Sequence, residues 1–296
     1  MHDAASPRLF CFGLGYAALA IGHRLREHGW KVAGTVRHAG KAEALRARGF
    51  EVYLFGETPL SDARRALAGT THLLSSVPPR PDGDPVLAAH ALDISATAGI
   101  GWIGYLSTTG VYGDRAGGWV DETSDRRPTT ERGRRRVAAE DAWTALGARM
   151  GVPVHLLRLA GIYGPGRNQL ASLAAGTAQR IDRPGQVFSR IHVDDIAAAV
   201  EAAATSGLGS RAFNICDDEP APPAEVVAHA ARLLGIPPPP LVAFEEAELS
   251  AMGRSFYSES KRVSNADLKR VLGVRLAYPT YREGLAALAQ AGEGRP

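Results

Sequence analysis

"RLFCFGLGYAALA", residues 8–20, carries the reading of the fold. An apolar run of strand length breaks at two glycines and passes at once into residues of helical period. Gly13, Gly15 and Ala18 make a G-x-G-x-x-A turn: Gly13 permits the tight bend, Gly15 places no side chain before a pyrophosphate, and Ala18 lets the helix lie close on the strand. The helix that opens there turns free amides and a positive dipole end toward phosphate. A strand-to-helix bend needs glycine in any case, so the turn gains its weight from position, directly after the first strand of an alternating series.

That series is read outward from the turn. "RLFCFG", "KVAGTV", "FEVYLF", "THLLSSV", "IGWIGYLS" and "PVHLLRLAG" read as strands, near-continuous in apolar residues as strands covered on both faces are. Between them "YAALAIGHRLREHG", "KAEALRARG", "DPVLAAHALDISATAG" and "RRRVAAEDAWTALGARMG" have helical spacing, several closing on glycine. Strand and helix in alternation predict an α/β fold, a Rossmann-type doubly wound parallel sheet. After residue 160 the alternation fades into loops rich in Gly and Pro, with helices expected at about 193–206, 222–235, 264–272 and 280–291. Residues 1–160 are therefore read as an NAD(P)-binding domain and 161–296 as a smaller substrate lobe interleaved with it. The run Pro237 to Pro240 is read as the end of a helix within that lobe.

Bulk properties limit the function classes. The chain has 296 residues, 45% hydrophobic and 22% charged, enough for a large core. Its net charge of +3 makes no case for nucleic acid. Cys11 and Cys216 stand far apart and form neither a CxxC motif nor a Cys/His cluster, which points to a reducing compartment and no zinc site. No apolar stretch is long enough to span a membrane, and the N-terminus lacks a secretory pattern, so a cytoplasmic location is expected. His192, Asp194 and Asp195 in "RIHVDD" suggest helix capping and dipole stabilisation, with no metal expected.

At the end of the second strand, "VAGTVRHAGK", Thr35 and Arg37 stand where an NAD-specific protein places an acidic residue for the ribose 2′-hydroxyl. An arginine there suits a 2′-phosphate, so NADP is expected, with NAD the alternative. Ser75, within the strand "THLLSSV", is counted among the cofactor contacts.

Six segments, "YLSTTGVYGD", "PTTERGRRRVAAE", "RLAGIYGPGRN", "SRIHVDDIAAAV", "FNICDDEPAP" and "SNADLKRVLGV", follow in an order that resembles the extended short-chain dehydrogenase/reductase family of nucleotide-sugar epimerases and dehydratases. The chain is most similar to an atypical branch whose nucleotide motif reads G-x-G-Y, which adds Tyr16 to the cofactor contacts. The resemblance implies a nicotinamide cofactor, a small oxygenated, sugar-like substrate, and a working set of Ser/Thr, Tyr and Lys. Thr108 matches the Ser/Thr position. Counting back from Glu140 puts Arg136 at the lysine position and Arg132 at the tyrosine position. A guanidinium stays protonated, so Arg132 cannot accept and return a proton as a tuned phenol does. Arg136 retains donors for a ribose.

Tyr112 and Tyr163 are the candidate surrogate acids, and Tyr112 joins Thr108 in the expected catalytic set. Arg167 and Arg190 lie in segments that help form the substrate cleft in relatives and are expected to meet substrate. Two functions stay open: an oxidoreductase or epimerase-type enzyme without the usual tyrosine, and a non-catalytic redox sensor or interaction protein. Relatives pair through the Tyr-x-x-x-Lys helix, which leaves monomer or homodimer.

Overall fold

The computed structural model describes residues 6–295. Up to Met150 the chain runs β1 (Arg8–Phe12), α1 (Tyr16–Glu27), β2 (Lys31–Val36), α2 (Ala39–Ala47), β3 (Glu51–Leu54), α3 (Ala63–Leu67), β4 (His72–Ser75), α4 (Pro85–Ala96), β5 (Trp102–Thr108) and α5 (Glu131–Met150). With strands Val154–Leu159 and Arg211–Ile215 these build one seven-stranded sheet, ordered Arg211–Ile215, Val154–Leu159, β5, β4, β1, β2, β3. The pairs β1–β2, β1–β4, β2–β3 and β4–β5 are parallel, so helices must carry the chain back between strands. This is the expected Rossmann-type α/β sheet.

Residue chemistry explains the elements. All five residues of β1 and the first six of β5 are buried, as both faces of the sheet are covered. Asp84 starts α4, its Oδ1 accepting from the backbone N–H of Val86 (2.9 Å) and Leu87 (3.1 Å) ahead of a proline-led first turn. Its Oδ2 accepts from Trp143 Nε1 of α5 at 3.0 Å, which joins two helices on one carboxylate. Phe10, Phe12, Leu73, Ile103 and Trp143 lie in the core so enclosed.

Six strands were expected, and the seventh, "RAFNI" of Arg211–Ile215, is an addition. It sits at the sheet edge with its first two residues half-buried, so its pattern lacks the continuous apolar run that marked the others. The order reverses between β1 and β4, and in open α/β sheets the crevice beyond the strand ends at such a reversal receives ligands.

Contacts divide the chain into two interleaved units. One comprises the chain up to Thr108, Arg134–Arg158 and Ala197–Phe213; the other comprises Thr109–Gly133, Leu159–Ile196 and the chain from Asn214. The second unit has its own core of Tyr163, Leu170, Ala221, Val226, Tyr281 and Leu285. Its helix Tyr281–Gln290 opens with a capping box between Thr280 and Glu283, and helix Pro223–Leu234 closes on Gly235 in the left-handed region at φ +69°. Three short parallel pairs brace it: Gly161–Tyr163 with Arg190–His192, Arg180–Asp182 with Leu241–Ala243, and Trp119–Val120 with Arg262–Val263. Helices Val193–Thr205, Pro223–Leu234, Ala266–Arg270 and Tyr281–Gln290 fall where the periodicity placed them; Gln169–Ala174 and Ala251–Tyr257 are additions too short for a periodic signal. No helix among the described residues is long and apolar enough to cross a membrane.

Candidate functional site

The glycine turn is held from beneath and from the side. Gly13 has φ +90°, a conformation that L side chains rarely adopt, and a Cβ there would stand 2.9 Å from Ser76 Oγ. Its N–H donates to Thr35 Oγ1 (2.9 Å), the Leu14 N–H donates to Thr35 O (2.7 Å), and the Ser76 hydroxyl donates to Gly13 O. The ends of β2 and β4 thus clamp the turn at the sheet reversal.

Gly15 is different: its φ is −86°, and the nearest atom to an added Cβ is Gly13 O at 4.0 Å. The fold itself would accept a side chain at Gly15, so its absence leaves an open approach to the start of α1. No side chain caps that helix, and its 12 residues set their dipole on the same spot. These residues fit the pyrophosphate of a dinucleotide. Beneath them Cys11 is fully buried, and burial pushes its thiol up to about 12, which makes it an inert packing residue.

The other cofactor candidates divide. Arg37 is exposed just past β2, and no acidic side chain stands beside it in "TVRHAGK". Lys41, one helical turn further on in α2, donates from Nζ to Leu14 O at 2.8 Å and so reaches the turn itself. Sequence reasoning missed Lys41, because its reach back to Leu14 spans 27 positions. Ala18 is fully buried, as close helix-on-strand packing requires. Two candidates lie inside the protein. Thr35 is 1% exposed and its hydroxyl is engaged by Gly13, so it shapes the turn. Ser75 is fully buried, and at the end of β4 it is Ser76 that touches the turn.

Thr108 ends β5 half-exposed, and the residues before it are tied to α5. Arg136 is buried and donates from Nη1 to Leu106 O (2.6 Å) and to the Tyr105 hydroxyl (3.2 Å). Glu140, fully buried one turn later, accepts from Ser107 Oγ (2.6 Å) and from Arg158 Nε (3.0 Å) and Nη2 (2.9 Å). Arg136 therefore spends one nitrogen on fixing the strand that carries Thr108. Burial pushes the Tyr105 phenol up, and the Arg136 guanidinium opposes that shift.

In the second unit Tyr112 is fully buried, with its hydroxyl donating to Asn214 Oδ1 at 2.7 Å. That phenol is an internal tie, fully enclosed in this structure. Tyr163 is 4% exposed; burial first, then the Asp217 carboxyl, pushes its phenol up, away from the range of a working acid. Arg132 is exposed in the first turn of α5, its guanidinium 5.4 Å from the centre of the Phe256 ring.

Arg167 is exposed, whereas Arg190 is buried and donates from Nη1 to Phe188 O (2.8 Å) and Ala221 O (3.1 Å). Arg190 thus acts first as a brace, which its motif did not reveal. Asp195 is buried and accepts from the N–H of Ala277 (2.7 Å) and Tyr278 (3.1 Å), a structural tie. Asp121 folds a local turn with Thr123 and Ser124, and Glu122 accepts from Asn214 N at 2.7 Å. Among the described residues no group of three or more His, Cys, Asp or Glu could hold a metal ion.

The model of the NAD dependent epimerase/dehydratase family matches residues 58–216, more than half of the chain. The chain belongs to this family. A functionally unknown conserved protein from Silicibacter pomeroyi is 50% identical, with a TM-score of 0.87 over 97% of this chain and all of that one. Protein YeeZ of Escherichia coli K12 is 35% identical over 238 residues, 77% of this chain and 84% of its own. A 3-diazoavenalumate denitrifying reductase from a Streptomyces species is 32% identical over 141 residues, 44% of this chain and 45% of that protein. More distant structures of the fold, 14% and 16% identical, include one with NAD and one with NADPH. These more distant likenesses show the shared fold.

Proposed function

We propose that this epimerase/dehydratase-family chain binds NADP(H), with NAD(H) as the alternative, for redox or epimerase-type chemistry on a small oxygenated, sugar-like molecule. The observation that carries this reading is Gly15, where the fold leaves room for a side chain and the sequence supplies none. The nicotinamide supplies or takes the hydride when the cofactor is bound. The chain's own groups do the rest: Gly13, Gly15 and the amides of α1 receive the pyrophosphate, with Tyr16 beside them. Arg37 and Lys41 take the 2′-phosphate, Arg136 the ribose, and Thr108 orients the substrate oxygen. Arg167 and Arg190 remain the substrate candidates. Both cysteines are unpaired and buried, in keeping with a cytoplasmic protein, acting as a monomer or homodimer.

A Gly15→Ala variant should fold with an unchanged Tm and bind NADPH at least about tenfold more weakly, because a methyl group would crowd only the ligand. Titration by nicotinamide fluorescence tests this, and unchanged affinity would remove the argument from the turn. The same titration decides the cofactor. Arg37→Ala should weaken NADPH by roughly tenfold, the scale of one charge-assisted hydrogen bond, and leave NADH unaffected. Equal losses for both nucleotides would favour NAD.

A second reading, a non-catalytic redox sensor, is favoured by Arg132 at the tyrosine position and by the enclosure of Tyr112. Incubating the loaded protein with sugar nucleotides, aldehydes and ketones separates the two. Turnover of any of them excludes the sensor.

A further inference from the structure

The chain has 34 basic side chains, and four of them are lysines: Lys31, Lys41, Lys261 and Lys269. Three of the four are exposed, and Lys261 is 9% exposed. The other buried cations, Arg8, Arg136, Arg158 and Arg190, are arginines, whose forked donors can be filled by several acceptors at once. An ammonium at Lys261 therefore departs from the chain's own habit.

Its surroundings are built. Lys261 Nζ donates to Glu259 Oε2 at 2.7 Å, and Thr129 Oγ1 donates to Glu259 Oε1 at 2.6 Å. Gln186 Nε2 donates to Glu259 O at 2.7 Å. Each oxygen of that carboxylate thus holds one partner, while the ammonium keeps two further N–H groups for which no acceptor is found among the described residues. A cation so placed and so partly satisfied is costly unless a further acceptor reaches it.

The neighbourhood is the start of α5. Thr129 precedes the helix, and Arg132 of its first turn lies over Phe256, three residues before Glu259. Two ties, Thr129 to Glu259 and Arg132 to Phe256, lay the segment 256–261 along the turn where the resemblance puts the missing tyrosine.

We propose that Lys261 anchors the substrate: its ammonium, held by Glu259, donates to an anionic oxygen of the small molecule, a carboxylate or a phosphate. This rests on the reading of the chain as acting on a small oxygenated substrate. It makes that substrate an anion and gives the family's emptied catalytic turn a cation in place of a titrating phenol.

The test is calorimetric titration of the full chain with inorganic phosphate and with malonate at constant ionic strength, for the wild type, Lys261→Met and Lys261→Arg. Binding of at least one probe is expected, weakened tenfold or more in Lys261→Met and largely kept in Lys261→Arg. Preference for phosphate or malonate names the source of the anion. Should Lys261→Met fail to fold, reductive methylation of the wild type followed by peptide mass spectrometry decides. The effective probe should slow labelling of Lys261 at least threefold and leave Lys31 and Lys269 unchanged. Binding of neither probe, equal binding by Lys261→Met, or no protection of Lys261 would overturn the proposal. NADPH titrated in parallel separates the readings: lost NADPH binding with retained anion binding counts against the cofactor assignment alone.

Discussion

Replacing Glu140 by alanine is expected to cost about 3–5 kcal/mol of stability, the range found when one partner of a buried ion pair is removed. Glu140 is fully buried, and Arg158, the cation it receives through two nitrogens, is 5% exposed. Truncation would leave that guanidinium charged, because arginine does not deprotonate to escape burial. It would also strip Ser107 Oγ of the acceptor that holds the residue next to Thr108. Urea unfolding at pH 7 measures the loss, and a change below about 1 kcal/mol would show that the pair is replaceable. Glu140→Gln should lose less, since the amide oxygen still accepts one bond. Because β5 delivers Thr108, Glu140→Ala should also blur the geometry of any turnover.

The second large effect is a pH dependence of stability set by Asp217. Asp217 is 1% exposed, and burial raises its pKa from 3.8 to about 8 against the opposing pull of Arg190. An acid raised on folding keeps its proton in the native state after the unfolded chain has lost it. The favourable contribution is therefore complete below about pH 4, falls as the pH rises toward 8, and changes no further above that.

Asp217→Asn replaces the charged form by a neutral isostere. The variant should gain on the wild type by a few kcal/mol, in order of magnitude, between pH 4 and pH 8. Melting temperatures of both proteins at pH 5 and pH 8.5 check this. Curves that stay parallel across the window would show that Asp217 ionises freely in the fold.

How much was legible beforehand follows the range of the interactions involved. The nucleotide turn could be read because strand, glycine, glycine and helix are contiguous, and backbone conformation there depends on those few residues. The doubly wound sheet could be read for a related reason, since each strand covered on both faces has to be apolar along its length. Strand Arg211–Ile215 escaped because it is an edge strand with a half-buried start. In "LLSS" composition alone does not say which serine reaches the turn, and in the fold it is Ser76.

The side chains that complete the site come together over distances no local pattern records. Glu140, Ser107 and Arg158 meet across a helix and two strands, and Lys261, Glu259 and Thr129 meet across more than 120 positions. Tyr112 illustrates the same limit from the other side: its motif made it an acid candidate, and a hydrogen bond to Asn214, 102 residues away, makes it a tie. Short-range sterics and strand burial thus settle the family, the sheet and the dinucleotide turn from sequence alone. Which charged groups are buried, paired or left with spare donors is decided by desolvation and packing, and these exist only once the chain has folded.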